Sequence, residues 1–163
     1  MKPDKVEKAF SNAELNELIR ATLSKRASFR MKATGFSMSP FIQNEDILTI
    51  SPLTHSLSSG EVVAFDIPKR NKLIVHRIVE IRNSSFVIKG DNVESIDGVI
   101  PGECILGIIT KVERGDRRIY FGLGLERVII AFLSKKGALP FVYFFWRLVP
   151  NHIRKFIKCK IHS

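Results

Sequence analysis

Cysteine is scarce in this chain of 163 residues: Cys104 and Cys159 are the only two, and their separation matches no metal-ligand spacing. A disulfide framework is therefore not expected, and both read as reduced, partly buried thiols. Glycine-rich phosphate loops and His/Cys clusters are missing too, so no cofactor is expected. The opening stretch MKPDKVEKAF has no apolar segment of the kind a signal peptide needs. Long hydrophobic runs are also wanting. In the aromatic-rich C-terminal region the longest charge-free run is Gly137 to Trp146, short of the roughly 18 residues a spanning helix requires. The localisation expected from this is cytoplasmic or peripheral on a membrane.

Acidic residues run out in the last third. Residues 1–113 hold 15 Lys/Arg against 14 Asp/Glu, whereas residues 114–163 hold 11 Lys/Arg against Asp116 and Glu126 alone. The formal net charge of +10 is thus a property of one end, which marks that end as a separate functional region. Six of the twelve Phe residues and the single Trp fall there as well. Basic residues interleaved with Phe, Tyr and Trp suit a segment lying on an anionic bilayer surface. Short helices covering an open sheet face would leave the same trace. Nucleic acid is not expected as a partner, because one N-terminal helix is not a helix-turn-helix and the basic tail has no groove-reading element.

What is present is mainly β. With 45% hydrophobic and 26% charged residues the composition is globular, and the length suits one domain with an appended segment. One helix is announced by Ser11 and Glu14 at capping-box spacing, followed by Leu15, Leu18, Ile19 and Leu23 on one apolar face. Strands are then predicted at ILTIS (47–51), EVVAFDI (61–67), LIVHRIVEIR (73–82), SFVIKG (85–90), CILGIITKVE (104–113) and RRIYFG (117–122). Short turns between them argue an antiparallel sheet or small barrel. The chain divides into a helix (1–28), a β-domain (29–122) and the basic, aromatic C-terminal segment (123–163).

One stretch, GFSMSP at 35–40, places Ser37 in a turn, and a serine nucleophile needs a base. Of the four histidines, His55 lies in a Ser/Thr-rich turn, and His152 and His162 lie in the tail. His76 falls inside a predicted strand, on the face of Ile74 and Ile78, where an imidazole is partly desolvated and held still. Asp91 and Asp97 follow in KGDNVESID (89–97). A carboxylate beside the imidazole would fix its tautomer and stabilise its protonated form. Each residue alone fits an ordinary role as well: a structural strand histidine, a turn aspartate, an Asp-Gly turn.

The ordered series GFSMSP, NEDILTI, GEVVAFDI, VHRIV, IKGDNVESID and ILGIITKV resembles the serine peptidases that include type I signal peptidases and LexA-type self-cleaving proteins. The likeness spans about residues 29–113. It implies a β-barrel-like fold with Ser37 as nucleophile. Where bacterial signal peptidases and LexA-type proteins use a lysine base, this chain has His76 followed by Arg77, which resembles the Ser-His-Asp branch of endoplasmic-reticulum and archaeal signal peptidases. In that branch Asp91 and Asp97 match two important aspartates, with Asp97 at the position usually given to the triad. The sequence also departs from the pattern. Glu45-Asp46 stands where Gly-Asp is usual, and Gly35 where a hydroxyl residue is common, so an oxyanion would rest on backbone N–H groups, first that of Ser37. A soluble helix is expected where a signal peptidase has its N-terminal transmembrane anchor.

The resemblance implies a serine endopeptidase acting on an extended peptide or protein substrate. Phe36, Met38 and Phe41 are candidates either for pocket walls or for core. A fold retained without activity, serving as a membrane-surface or scaffold protein, is the alternative. A self-cleaving regulator would need a DNA-binding domain that residues 1–34 do not supply.

Overall fold

In the computed structural model, residues 11–67 and 72–139 are described. Helix α1 (Asn12–Ser24) opens as the sequence predicts: Ser11 caps it, with its hydroxyl accepting from the Glu14 N–H while the Glu14 carboxylate accepts from the Ser11 N–H. The carboxylate accepts from the Ser11 N–H and also from the Ser11 hydroxyl, and these two hydrogen bonds lower the Glu14 pKa. The inner face differs by one position from the sequence expectation. Ile19 and Leu23 are buried and Leu15 packs beside them, but Leu18 is exposed and Asn16 is buried instead.

Eight antiparallel strands form a curled half-barrel sheet: β1 (Phe29–Lys32), β2 (Ile47–Ser51), β3 (Val62–Ile67), β4 (Lys72–Arg82), β5 (Ser85–Lys89), β6 (Ile96–Pro101), β7 (Ile105–Arg114) and β8 (Arg117–Ile119). Their order is β1-β2-β7-β3-β4-β5-β6, with β8 paired to β7. Six were predicted within a few residues, although the last is half the expected length, because the 120–122 end of RRIYFG turns away. Two were missed. FRMK (β1) is too short for its alternation to register, and IDGVIP (β6) carries near its start an Asp-Gly pair that reads as a turn.

Both faces of the sheet centre are covered. Along β3, Val62 and Ala64 join a core with Ile19 and Leu23 of α1, Met38, Ile42, Leu48 and Val112. Val63 and Phe65 point the other way, into a second core with Ile78, Ile88, Ile100 and Ile105. This is why β3 reads as a continuous apolar run rather than an alternating one. Each fully buried aliphatic side chain of this kind stabilises by about 1.5–3 kcal/mol. Cys104 is a free, half-buried thiol beside the second core.

Helix α2 (Arg127–Lys135) closes the described chain. Its Ile130, with Leu139, packs on Phe41, and Lys135 reaches Glu80 of β4 at 2.8 Å. The Glu80 carboxyl is held down to about 2, first by Arg82 and then by Lys135. Among the described residues no helix is long and apolar enough to cross a membrane. Cys159 and the aromatic segment from residue 140 onward lie outside the described residues.

Candidate active site

Ser37 stands in a turn between β1 and β2 that is pinned from several sides. Gly35 has φ +90°, and its N–H donates to Asn44 Oδ1. The Phe41 and Ile42 N–H groups both donate to the Met38 carbonyl. Met38 and Ile42 are buried in the first core, so the turn is anchored from below while the Ser37 hydroxyl faces a cleft of about 450 Å³.

His76, from the middle of β4, is buried against Phe65. Its Nε2 lies 2.8 Å from Ser37 Oγ, and its Nδ1 lies 2.5 Å from Asp97 Oδ2. An ionised carboxylate can only accept, so Nδ1–H donates to Asp97 and Nε2 is left to accept the Ser37 proton. Asp97 is supplied by β6, one of the strands that sequence reasoning missed.

Asp91 is elsewhere. Both its oxygens are engaged by Arg77, from Nε at 2.9 and 3.1 Å and from Nη2 at 2.7 Å, and both side chains are fully buried. Arg77 Nη1 donates to the carbonyls of Gly60 and Gly122, each at 2.8 Å, and the guanidinium lies over the Phe41 ring. The structure therefore sorts the two aspartates: Asp97 meets His76 and Asp91 meets the adjacent Arg77, on the opposite face of β4.

Three contributors escaped the sequence reading, all within KGDN. A Cβ on Gly90 would stand 2.9 Å from His76 Nε2 and from the Ser37 carbonyl, so only glycine lets the chain pass this close. Asn92 clamps the nucleophile turn, its N–H donating to the Ser37 carbonyl (2.7 Å) and its side-chain amide to that of Phe36 (3.2 Å). Lys89 is buried, and its Nζ has no hydrogen-bond partner among the described residues. Burial lowers its pKa, opposed by the charges of Asp91, Asp97 and Glu94. The signal that could have found them is the compactness of the motif, four consecutive residues with four distinct contacts.

The cleft takes its lining from Met31, Ala33 and Gly35 on one side and from Lys72–His76 on the other. Among the described residues strand β1 pairs only with β2, and β4 pairs only with β3 along Lys72–His76, since β5 joins from Arg77 onward. Two strand stretches with unused edges thus border the space in front of Ser37. Of the candidate walls, Met38 lines it; Phe36 is exposed and Phe41 belongs to the α2 core. Glu45, where glycine was the usual residue, has φ +72°, a left-handed conformation that explains the glycine preference. Asp46 is buried and paired with Arg114. Among the described residues no group of three His, Cys, Asp or Glu side chains could hold a metal.

This is the arrangement of a serine-peptidase-type fold. The family model described as Peptidase S24-like matches residues 6–112, well over half the chain, and the protein belongs to that family. It falls within the signal peptidase and LexA-type superfamily that the ordered motifs resemble. Comparison with curated proteins returns no match.

Proposed function

We propose that the protein is a serine endopeptidase working through Ser37, His76 and Asp97. The observation that carries the reading is the chain of two short hydrogen bonds, Asp97 to His76 to Ser37, opening on a cleft. His76 Nε2 takes the Ser37 proton as Oγ attacks the scissile carbonyl. The tetrahedral oxyanion is met by the Ser37 N–H, which makes no hydrogen bond among the described residues. The imidazolium then gives its proton to the leaving amine, and water releases the acyl group by the reverse sequence. Asp97 holds the ring and stabilises its charge. Asp91 acts as a positioning residue: through Arg77 it fixes the strand that carries His76.

The free edges of β1 and β4 support an extended peptide as substrate, held by main-chain hydrogen bonds with its side chain towards Met31, Met38 and Leu48. A serine-reactive fluorophosphonate should label the protein, with the label on Ser37, and Ser37→Ala should lower peptide hydrolysis by roughly 10⁶-fold. Absence of labelling in the folded protein would favour the scaffold alternative. Equal cleavage by wild type and Ser37→Ala would remove Ser37 from the mechanism.

A further inference from the structure

Helix α2 is apolar on two sides. Ile130 and Ala131 are buried against the domain, while Val128, Ile129 and Phe132 are 56, 65 and 61% exposed, and Leu125 ahead of them is 96% exposed. Val128, Ile129 and Phe132 share one outer strip of the helix, and Leu125 stands in the turn just before its N-cap. A surface helix normally carries its charged residues there. Tyr120 and Phe121, in the chain shortly before the helix, are also exposed.

Cations outnumber acids around the strip. Lys135 and Lys136 are exposed at its C-terminal end. Glu80 is the carboxylate facing that end, and it is shared between Arg82 and Lys135, so cations remain in excess. Between Arg117 and Leu139 the only other acid is Glu126. It is turned onto the N–H groups of Gly122 and Gly124 rather than outward. Residues 140–163, which follow directly, contain five Lys/Arg and no Asp or Glu.

We propose that the outer strip of α2 is a docking face for an anionic phospholipid bilayer. Leu125, Val128, Ile129 and Phe132 enter the boundary between headgroups and acyl chains, and Lys135 and Lys136 meet the acidic headgroups. Charge selects this occupant over the two others. A second copy would bring cationic borders face to face, and residues 140–163 would add their own cations to the same border. Because Ile130 and Leu139 pack on Phe41, at the end of the Ser37 turn, the docking face and the cleft belong to one body. The inference does not rest on the peptidase reading.

The test uses the full chain and phosphatidylcholine vesicles with and without phosphatidylglycerol, scored by co-sedimentation. Wild type should bind the anionic vesicles and be weakened by salt. Ile129→Glu with Phe132→Glu should lower partitioning by at least about tenfold, and Lys135→Gln with Lys136→Gln by about fivefold or more. Circular dichroism checks the fold; should the double glutamate variant fail it, Ile129→Ser and Phe132→Ser singly carry the same expectation at smaller amplitude. Failure of the wild type to bind either vesicle overturns the proposal. So does unchanged binding by the strip variants, which would assign the contact to another surface. A concentration-dependent dimer lost in the same variants would overturn it in favour of a second copy.

Discussion

Residues Lys72–His76 and Arg77–Arg82 form one strand but occupy different surroundings. The first half has β3 as its partner and an open edge on the cleft; the second pairs with β5 and lies under α2. His76 and Arg77 sit at the join, one residue apart and so on opposite faces. Each has a carboxylate partner: His76 meets Asp97, which stays partly exposed, and Arg77 meets Asp91, which does not. The difference separates two uses of an ion-paired group. A base must keep one nitrogen free for a proton that comes and goes, which needs an open side. An anchor does best when every donor is satisfied and no water reaches it, and Arg77 spends its Nε and both Nη groups on three loops.

Four substitutions would break or sharpen this comparison. Asp97→Asn should leave the fold intact and lower turnover by about 10⁴-fold, because the amide stabilises the wrong imidazole tautomer and carries no charge; steady-state peptide hydrolysis checks it. Asp91→Asn should do the reverse, costing about 3–5 kcal/mol of stability by leaving Arg77 buried and unpaired. Urea unfolding measures that loss, and the surviving folded fraction should still react with the acylating probe. If instead Asp91→Asn were stable and inert, the division between the two halves would be wrong.

Lys89 tests the closed half more finely. It is the register partner of Arg77, so two cations lie on one face while Arg77 occupies both oxygens of Asp91. Burial lowers the Lys89 pKa, so the folded state disfavours its charge. Between that lowered value and the ordinary lysine range near ~10.4, the unfolded chain holds more protons and wild-type stability rises with pH. Lys89→Met should therefore be more stable at neutral pH, by about 1 kcal/mol, with the gain shrinking as pH climbs towards the ordinary lysine value. Thermal unfolding across that range reads both size and slope. The smallest change belongs to neither half. Glu45→Gly relieves a left-handed φ at the expense of chain entropy and an exposed contact with Lys32, for a net gain of about 0.5 kcal/mol and unchanged turnover.

Much of this could be read along the chain because it is local. The capping box of α1 involves residues three apart, and the β-strands that alternate or run apolar announce themselves within five to ten residues. Leu18 was misplaced, and Asn16 not foreseen as buried, because the helix period fixes an apolar arc but not its centre, which depends on where the sheet lies. Strand β6 was hidden for a related reason: its burial comes from Ile100 meeting Ile88 and Phe86 across strands, while its first residue, Ile96, is exposed and Asp97-Gly98 follow it.

The sequence by itself determined a mainly β chain with a capped helix, a serine in a glycine-initiated turn, a histidine within a strand and two aspartates in one polar segment. Only the tertiary structure decided the pairing. Asp91 and Asp97 are six residues apart in one segment, and nothing local tells them apart. The contacts that do span 14 residues for Arg77 with Asp91, 21 for His76 with Asp97 and 39 for His76 with Ser37. Contacts of that separation are set by strand register, and a shift of one residue would exchange the faces of His76 and Arg77.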